Sequence, residues 1–208
     1  MTNSPVHTPA KHTGRLVWAA LRMLLVLTAV TGVAYPLLVT GVARAAFPDH
    51  AAGSPVRADG REVGSALIGQ SWNLKGTDEP DPRWFQPRPS HSGYDPLATG
   101  SSQLGASDAR LTKAVGAAKR QVAEFNGVPE SEVPKDAVTG SASAIDPHIS
   151  PAYARIQTAR VARENRLPEA EVRRLVDAHT EGRTAGFMGE PHVNVLKLNL
   201  ALKEAAGR

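Results

Sequence analysis

Apolar residues are spread very unevenly along this chain. Residues 23–43 (MLLVLTAVTGVAYPLLVTGVA) carry no charge. A helix rises about 1.5 Å per residue, so about 20 apolar residues cover the ~30 Å hydrocarbon core of a bilayer. The run occurs once and predicts a single transmembrane helix over 16–43. Pro36, Gly32 and Gly41 suit a soluble helix poorly but are tolerated in a span, where partner helices satisfy freed backbone groups. A cleaved signal peptide is the competing reading, with Ala43-Arg44-Ala45 as a small-x-small site, but signal h-regions are only about 7–15 residues long. A buried core helix is disfavoured, because nothing else in the chain is apolar enough to surround it.

Past the span the pattern changes. Residues 48–55 read as a connector, and residues 54–63 place Asp59-Gly60 between two short extended runs, a hairpin signal because that pair accepts positive φ. Residues 64–70 stay extended or turn at their glycines. Residues 73–105 are rich in Pro, Gly, Ser and Asp, which predicts irregular structure. Trp72, Trp84, Phe85 and Tyr94 predict that this segment is packed down instead of disordered. Three helices follow. Ser107 caps the first, with Leu111, Val115, Ala118, Val122 and Phe125 on one face and Gly127 as the stop. Ser150-Pro151 opens the second over 152–164, and Pro168 opens the third, with Val172, Leu175 and Val176 inward and Gly182 as its end. Residues 193–202 (VNVLKLNLAL) mix strand alternation with helix-forming residues, and their Leu, Ala and Lys content favours helix. No internal repeat is present. The fold class expected is α+β: one N-terminal transmembrane helix, then a single extracytoplasmic α+β domain.

Charge adds an orientation. Lys11, Arg15 and Arg22 precede the span with no acidic residue before it, whereas Arg44 beyond it is soon joined by Asp49. The N-terminus is therefore expected in the cytoplasm, giving a disordered cytoplasmic tail over 1–15, the span over 16–43 and the external domain over 44–208. With no cysteine, that domain has no disulfides and is expected to be held by packing and by whatever it docks on. A net charge of +4 without a basic run excludes nucleic-acid binding as the expected function.

Candidate chemistry is sparse. Asp146-Pro-His148-Ile-Ser150 sets a carboxylate, an imidazole and a hydroxyl within five residues, the ingredients of a hydrolase. Triads usually draw on distant segments, however, and Ser150 already reads as a helix cap. His50, His91, His148, His179 and His192 are isolated, with no ligand-pair spacing, so no metal site is expected. Neither a Gly-x-x-x-x-Gly-Lys-Ser/Thr loop nor a Gly-x-Gly-x-x-Gly occurs, and the Asp-Lys-Thr-Gly-Thr phosphorylation motif of P-type pumps is missing.

Several segments together resemble the C subunit of the Kdp potassium-transporting P-type ATPase: residues 35–41 (YPLLVTG), 64–70 (GSALIGQ), 84–90 (WFQPRPS), 136–162 (DAVTGSASAIDPHISPAYARIQTARVA) and 186–202 (GFMGEPHVNVLKLNLAL). They run in the family's order from the span to the C-terminus. DPHISP and the VNVLxLNLAL ending are the specific pieces. The chain departs from the family's Gly-Ser-Asn-Leu-Gly-Pro at residues 100–106 and from its Ser-Gly-Ser-Gly-Leu-Asp at residues 141–146, where alanines replace glycines.

The resemblance implies a non-catalytic accessory subunit of a high-affinity, ATP-driven potassium uptake pump in the bacterial plasma membrane. It implies three partners: a channel-like potassium-translocating subunit, a P-type ATP-hydrolysing subunit and a small single-span subunit. It implies a catalytic chaperone that raises the ATP affinity of the hydrolysing subunit, with potassium as the transported ion and no cofactor of its own. Gln70, Arg88, Asp146, His148, Ser150 and Asn194 are the family-pattern positions, expected to serve structure or a subunit interface. The alternatives are a membrane-anchored extracytoplasmic hydrolase using Ser150 and His148, and a tethered binding module.

Overall fold

The computed structural model describes residues 10–102 and 104–207, which divide into two compact units at Ala52 and Gly53. Most of the tail expected over 1–15 lies outside the described residues. From Ala10 onward the chain is already helical, so the helix begins earlier than the apolar pattern indicates.

The first unit is one long helical rod: α1 (Ala10–Ala29), a π-helical turn (Val30–Ala34), α2 (Tyr35–Ala46) and the short α3 (Pro48–Ala51). The π turn has a local cause. Pro36 has no N–H to donate and its ring crowds the carbonyl one turn back; the wider turn relieves both, with Tyr35 N–H reaching Val30 O instead. Thr31 Oγ1 donates to Leu27 O at 2.6 Å, satisfying its own hydroxyl inside the apolar stretch. Thr13–Ala46 is long and apolar enough to cross a membrane, and none of its apolar window is buried. Arg22 and Arg44 bracket roughly 30 Å of uncharged helix.

The second unit is α+β. The hairpin pairs β1 (Pro55–Ala58) with β2 (Arg61–Ser65) through Asp59 and Gly60, both at positive φ, with a bulge between Val56 and Arg57. The second sheet is small and antiparallel, in the order β3 (His148–Ile149), β5 (His192–Asn194), β4 (Thr180–Glu181). His148 pairs with Asn194 and Ile149 with Val193; on the other side Thr180 pairs with Val193 and Glu181 with His192.

Among the described residues four α-helices and two 3-10 turns (Glu130–Glu132 and Lys135–Ala137) complete the unit. Asp108 caps α4 (Ala109–Asn126) by accepting from Arg110 N–H, one residue later than the expected Ser107, and Gly127 ends it in the left-handed conformation. Ser150 caps α5 (Pro151–Asn165) with Pro151 at its first position. Pro168 precedes α6 (Glu169–Ala178), which stops at His179 because the chain turns there into β4; the stop expected at Gly182 lies beyond that strand. Asn194 caps α7 (Val195–Ala205), so the ambiguous C-terminal pattern resolves into three strand residues followed by a helix. Ile149, Val193, Val161, Val172, Val176, Leu198 and Leu202 form the core where α5, α6 and α7 cover the sheet.

The breaker-rich stretch between β2 and α4 contains neither helix nor extended sheet among its described residues, only a single bridge between Asn73 and Pro80. It is nevertheless anchored, for Phe85 is fully buried and Trp72 lies against Trp84 at 5.2 Å.

Candidate functional site

Side-chain amides do for residues 81–90 what a neighbouring strand would do. Asn199 of α7 accepts from Phe85 N–H at 2.9 Å and donates to Phe85 O at 3.0 Å. Gln157 of α5 accepts from Gln86 N–H at 2.7 Å and donates to Gln86 O at 3.0 Å. Arg160, 1% exposed, donates to the carbonyls of Pro82 and Trp84, to Asn126 and to Gln157, and lies over the Phe125 ring at 4.3 Å. Burial lowers this guanidinium to about 10, against raising contributions from Tyr153 and Glu164, so it remains charged at neutral pH. Buried backbone groups must be paired, and here helices supply the partners.

That clamp delivers Arg88 to a cleft of about 320 Å³ between the 135–137 turn, β3 and the approach to β5. Arg88, Asp146, His148 and Ser150 line it together with Lys135, Asp136, Glu190 and His192. Asp146 is the hub. Its Oδ2 accepts from Arg88 Nη1 at 3.0 Å, while Oδ1 accepts from His148 N–H at 3.0 Å and stands 3.3 Å from His148 Nδ1. Burial pushes the Asp146 carboxyl up, but the hydrogen bonds and charge of His148, with the charge of Arg88, outweigh it and hold the carboxyl below its ordinary value.

Ser150 is engaged differently from a nucleophile. Its hydroxyl donates to Asp136 Oδ1 at 2.9 Å, its N–H donates to Asp136 Oδ2 at 2.7 Å, and its oxygen accepts from Tyr153 N–H at 3.0 Å as the cap of α5. The hydroxyl hydrogen is thus directed at Asp136 and not at His148, which leaves the hydrolase reading without its nucleophile–base contact.

Gln70 and Asn194 belong to a separate cluster. Gln70 Nε2 donates to Val63 O at 2.9 Å. Asn194 Oδ1 accepts from Lys197 N–H at 3.1 Å, while its Nδ2 donates to Ala66 O at 2.8 Å, tying the loop after the first hairpin to the start of α7. Glycine is required at two positions beside them. At Gly64 (φ +155°) a Cβ would fall 2.2 Å from Gln70 Nε2, and at Gly69 it would fall 2.8 Å from Asp146 O and 2.5 Å from the Tyr94 ring.

Sequence reasoning gave no sign that Asp136 and His192 lie beside Arg88, Asp146 and His148 in this cleft. His148 and His192 meet edge to face with ring centroids 4.4 Å apart, although no spacing in the sequence pairs them. Only the sheet register brings them together. Among the described residues no group of three His, Cys, Asp or Glu side chains is gathered so as to hold a metal ion.

A family model described as K+-transporting ATPase, c chain (KdpC) matches residues 17–204. The chain is 52% identical to the potassium-transporting ATPase KdpC subunit of Streptomyces avermitilis, over 93% of this chain and 95% of that one. It is 52% identical to the KdpC subunit of Sorangium cellulosum over 89% and 96% of the two chains, and 43% identical to that of Caldanaerobacter subterraneus over 92% and 96%.

Proposed function

Because the chain belongs to the KdpC family of potassium-transporting ATPase subunits, we propose that it is the non-catalytic accessory subunit of a high-affinity potassium uptake pump. In this reading α1 and α2 anchor it in the bacterial plasma membrane by a single pass, and the domain from Gly53 onward lies outside the cell. The observation that carries the anchor is the Thr13–Ala46 helix, long and apolar enough to cross a membrane. The basic residues Arg15 and Arg22 at its N-terminal end support a cytoplasmic N-terminus.

Its partners are a channel-like potassium-translocating subunit, a P-type ATP-hydrolysing subunit and a small single-span subunit. Toward the hydrolysing subunit it acts as a catalytic chaperone, raising ATP affinity. The two sites lie on opposite sides of the membrane in this arrangement, so the effect is allosteric: the domain binds one conformation of the pump more tightly, and that conformation holds ATP more tightly. The cleft lined by Arg88, Asp146 and His148 is the surface we assign to subunit contact.

The test is gentle-detergent co-purification of the tagged chain from potassium-starved cells, with potassium-stimulated ATPase assayed on the same eluate. Recovery of a P-type ATPase whose KM for ATP rises when this subunit is removed is the expected result. Recovery of the chain alone, or of a pump whose KM is unchanged, would refute the role.

A further inference from the structure

The π turn between α1 and α2 strands a backbone acceptor inside the apolar stretch. In an unbroken helix Thr31 O would take the N–H of Tyr35, and Gly32 O that of Pro36. Tyr35 N–H goes to Val30 O instead, and Pro36 has no N–H. Thr31 O therefore has neither the donor four residues on nor the one five residues on, and Gly32 O has lost its α-helical donor. A Ser or Thr three or four residues along the chain can repair such a loss by bonding back, but residues 34–36 are Ala, Tyr and Pro. The Thr31 hydroxyl is no help, because it is already donated to Leu27 O.

Depth makes the loss matter. Thr31 stands about 14 Å of helix from Arg22 and about 20 Å from Arg44, in the middle of the span by which the chain is read to cross the bilayer. Acyl chains offer no donor and water is scarce there, so a carbonyl without a partner is costly. Another protein segment is the remaining source. We propose that the π turn is a docking notch for a transmembrane helix of another subunit, which brings a Ser, Thr, Asn or Gln side chain to donate to Thr31 O or Gly32 O. This inference rests on the reading of the chain as a membrane-anchored pump subunit.

Gly32 clears the approach. A Cβ there would meet only Thr28 Cγ2, at 4.0 Å, so the chain itself leaves room beside the two carbonyls. Small residues at such positions let helices approach closely and let polar side chains reach across. A second copy of this chain does not supply the donor. In a parallel pair the hydroxyl at this depth is Thr31's own, committed to Leu27 O.

The experiment compares the tagged full chain with Pro36→Ala, Gly32→Leu and the control Val26→Leu, each expressed in potassium-starved cells and taken through a graded detergent wash. Pro36→Ala restores the missing N–H and favours a regular helix, so a weaker complex is not the result of a misfolded anchor. Pump subunits retained per tagged chain should fall about threefold or more in Pro36→Ala and Gly32→Leu. They should hold steady in Val26→Leu, whose side chain lies about half a turn around the helix from the notch. Photo-cross-linking in intact membranes names the occupant. Benzoylphenylalanine placed at Thr28, beside the notch, should join a transmembrane segment carrying Ser, Thr, Asn or Gln within one turn of the joined residue, and the same probe at Val26 should not. Joining to such a segment of a protein outside the pump would keep the notch and refute the pump role. Unchanged retention in Pro36→Ala, joining only to lipid or to a second copy, or a joined segment without a donor would each overturn the notch and leave the pump role standing.

Discussion

Gly69 is enforced by its neighbours: a Cβ there would fall 2.8 Å from the Asp146 carbonyl oxygen and 2.5 Å from the Tyr94 ring. One neighbour is backbone and the other a buried ring, so neither yields cheaply. Gly69→Ala should cost about 2–3 kcal/mol in chemical denaturation, whereas Gly182→Ala, with nothing within 4 Å, should change stability by less than about 0.5 kcal/mol. Equal effects would show that the crowding at Gly69 relaxes freely. Asn194 is a second two-sided residue. Asn194→Ala loses the cap and the bond to Ala66 O, about 2 kcal/mol together. Asn194→Ser keeps a cap oxygen but lacks the reach for Ala66 O, and should recover about half of that loss in the same assay. The cap roles of Ser150 and Asn194 are legible from residue type and position, as is the αL stop at Gly127. Ala144 was not legible: it keeps positive φ (65°) and full burial although the resembled pattern has glycine there, because Ser90 Oγ, donating to Ala144 O at 2.6 Å, holds the turn.

Helices and hairpins were legible in outline because each carries its own punctuation: Asp59-Gly60 turns the hairpin, Pro151 starts α5 and Pro168 precedes α6. The short strands β3, β4 and β5 have two or three residues each, too few for alternation to register, and their pairing is set by tertiary packing. The same limit hid the meeting of His148 with His192. Residues 81–90 show the opposite case, in which composition correctly gives irregular backbone while the partners of that backbone are invisible. Asn199 and Gln157 sit on helices, where an amide reads as a surface residue, yet both are fully buried and each satisfies an N–H and a C=O of Phe85 or Gln86. Replacing either with Leu strands two buried backbone groups, so Asn199→Leu and Gln157→Leu should each cost about 2–4 kcal/mol. Hydrogen exchange gives the element-level readout: the amide of Phe85 should exchange faster in Asn199→Leu and that of Gln86 in Gln157→Leu, with β1 and β2 amides unaffected. Uniform acceleration across the domain would mean the clamp is not local.

At the scale of the whole domain, two buried phenols set its alkaline limit. Burial, aided by the charge of Asp146, raises Tyr94 well above the ordinary 10.0, with Arg88 pulling the other way. Burial likewise raises Tyr153, with Asp136 adding to the rise and Arg160 opposing it. The folded chain therefore keeps both phenols neutral while the unfolded chain ionises near pH 10. Their contribution is complete below pH 10 and is lost as pH climbs from there toward the higher folded values, at up to about 1.4 kcal/mol per pH unit for each phenol. Lysines and arginines titrate in the same range, so the informative quantity is a difference between variants. Tyr153→Phe removes one ionisable group, and although the variant loses some stability at pH 8, its urea midpoint should decline less steeply between pH 10 and 11.5 than that of the unaltered chain. Tyr94 is the harder case, because its hydroxyl also donates to Arg88 O. Tyr94→Phe should therefore lose more at pH 8, about 1 kcal/mol from that bond, while showing the same flattening above pH 10. Parallel curves for all three proteins would mean that both phenols ionise in the folded state and that water reaches two rings that are buried in the structure.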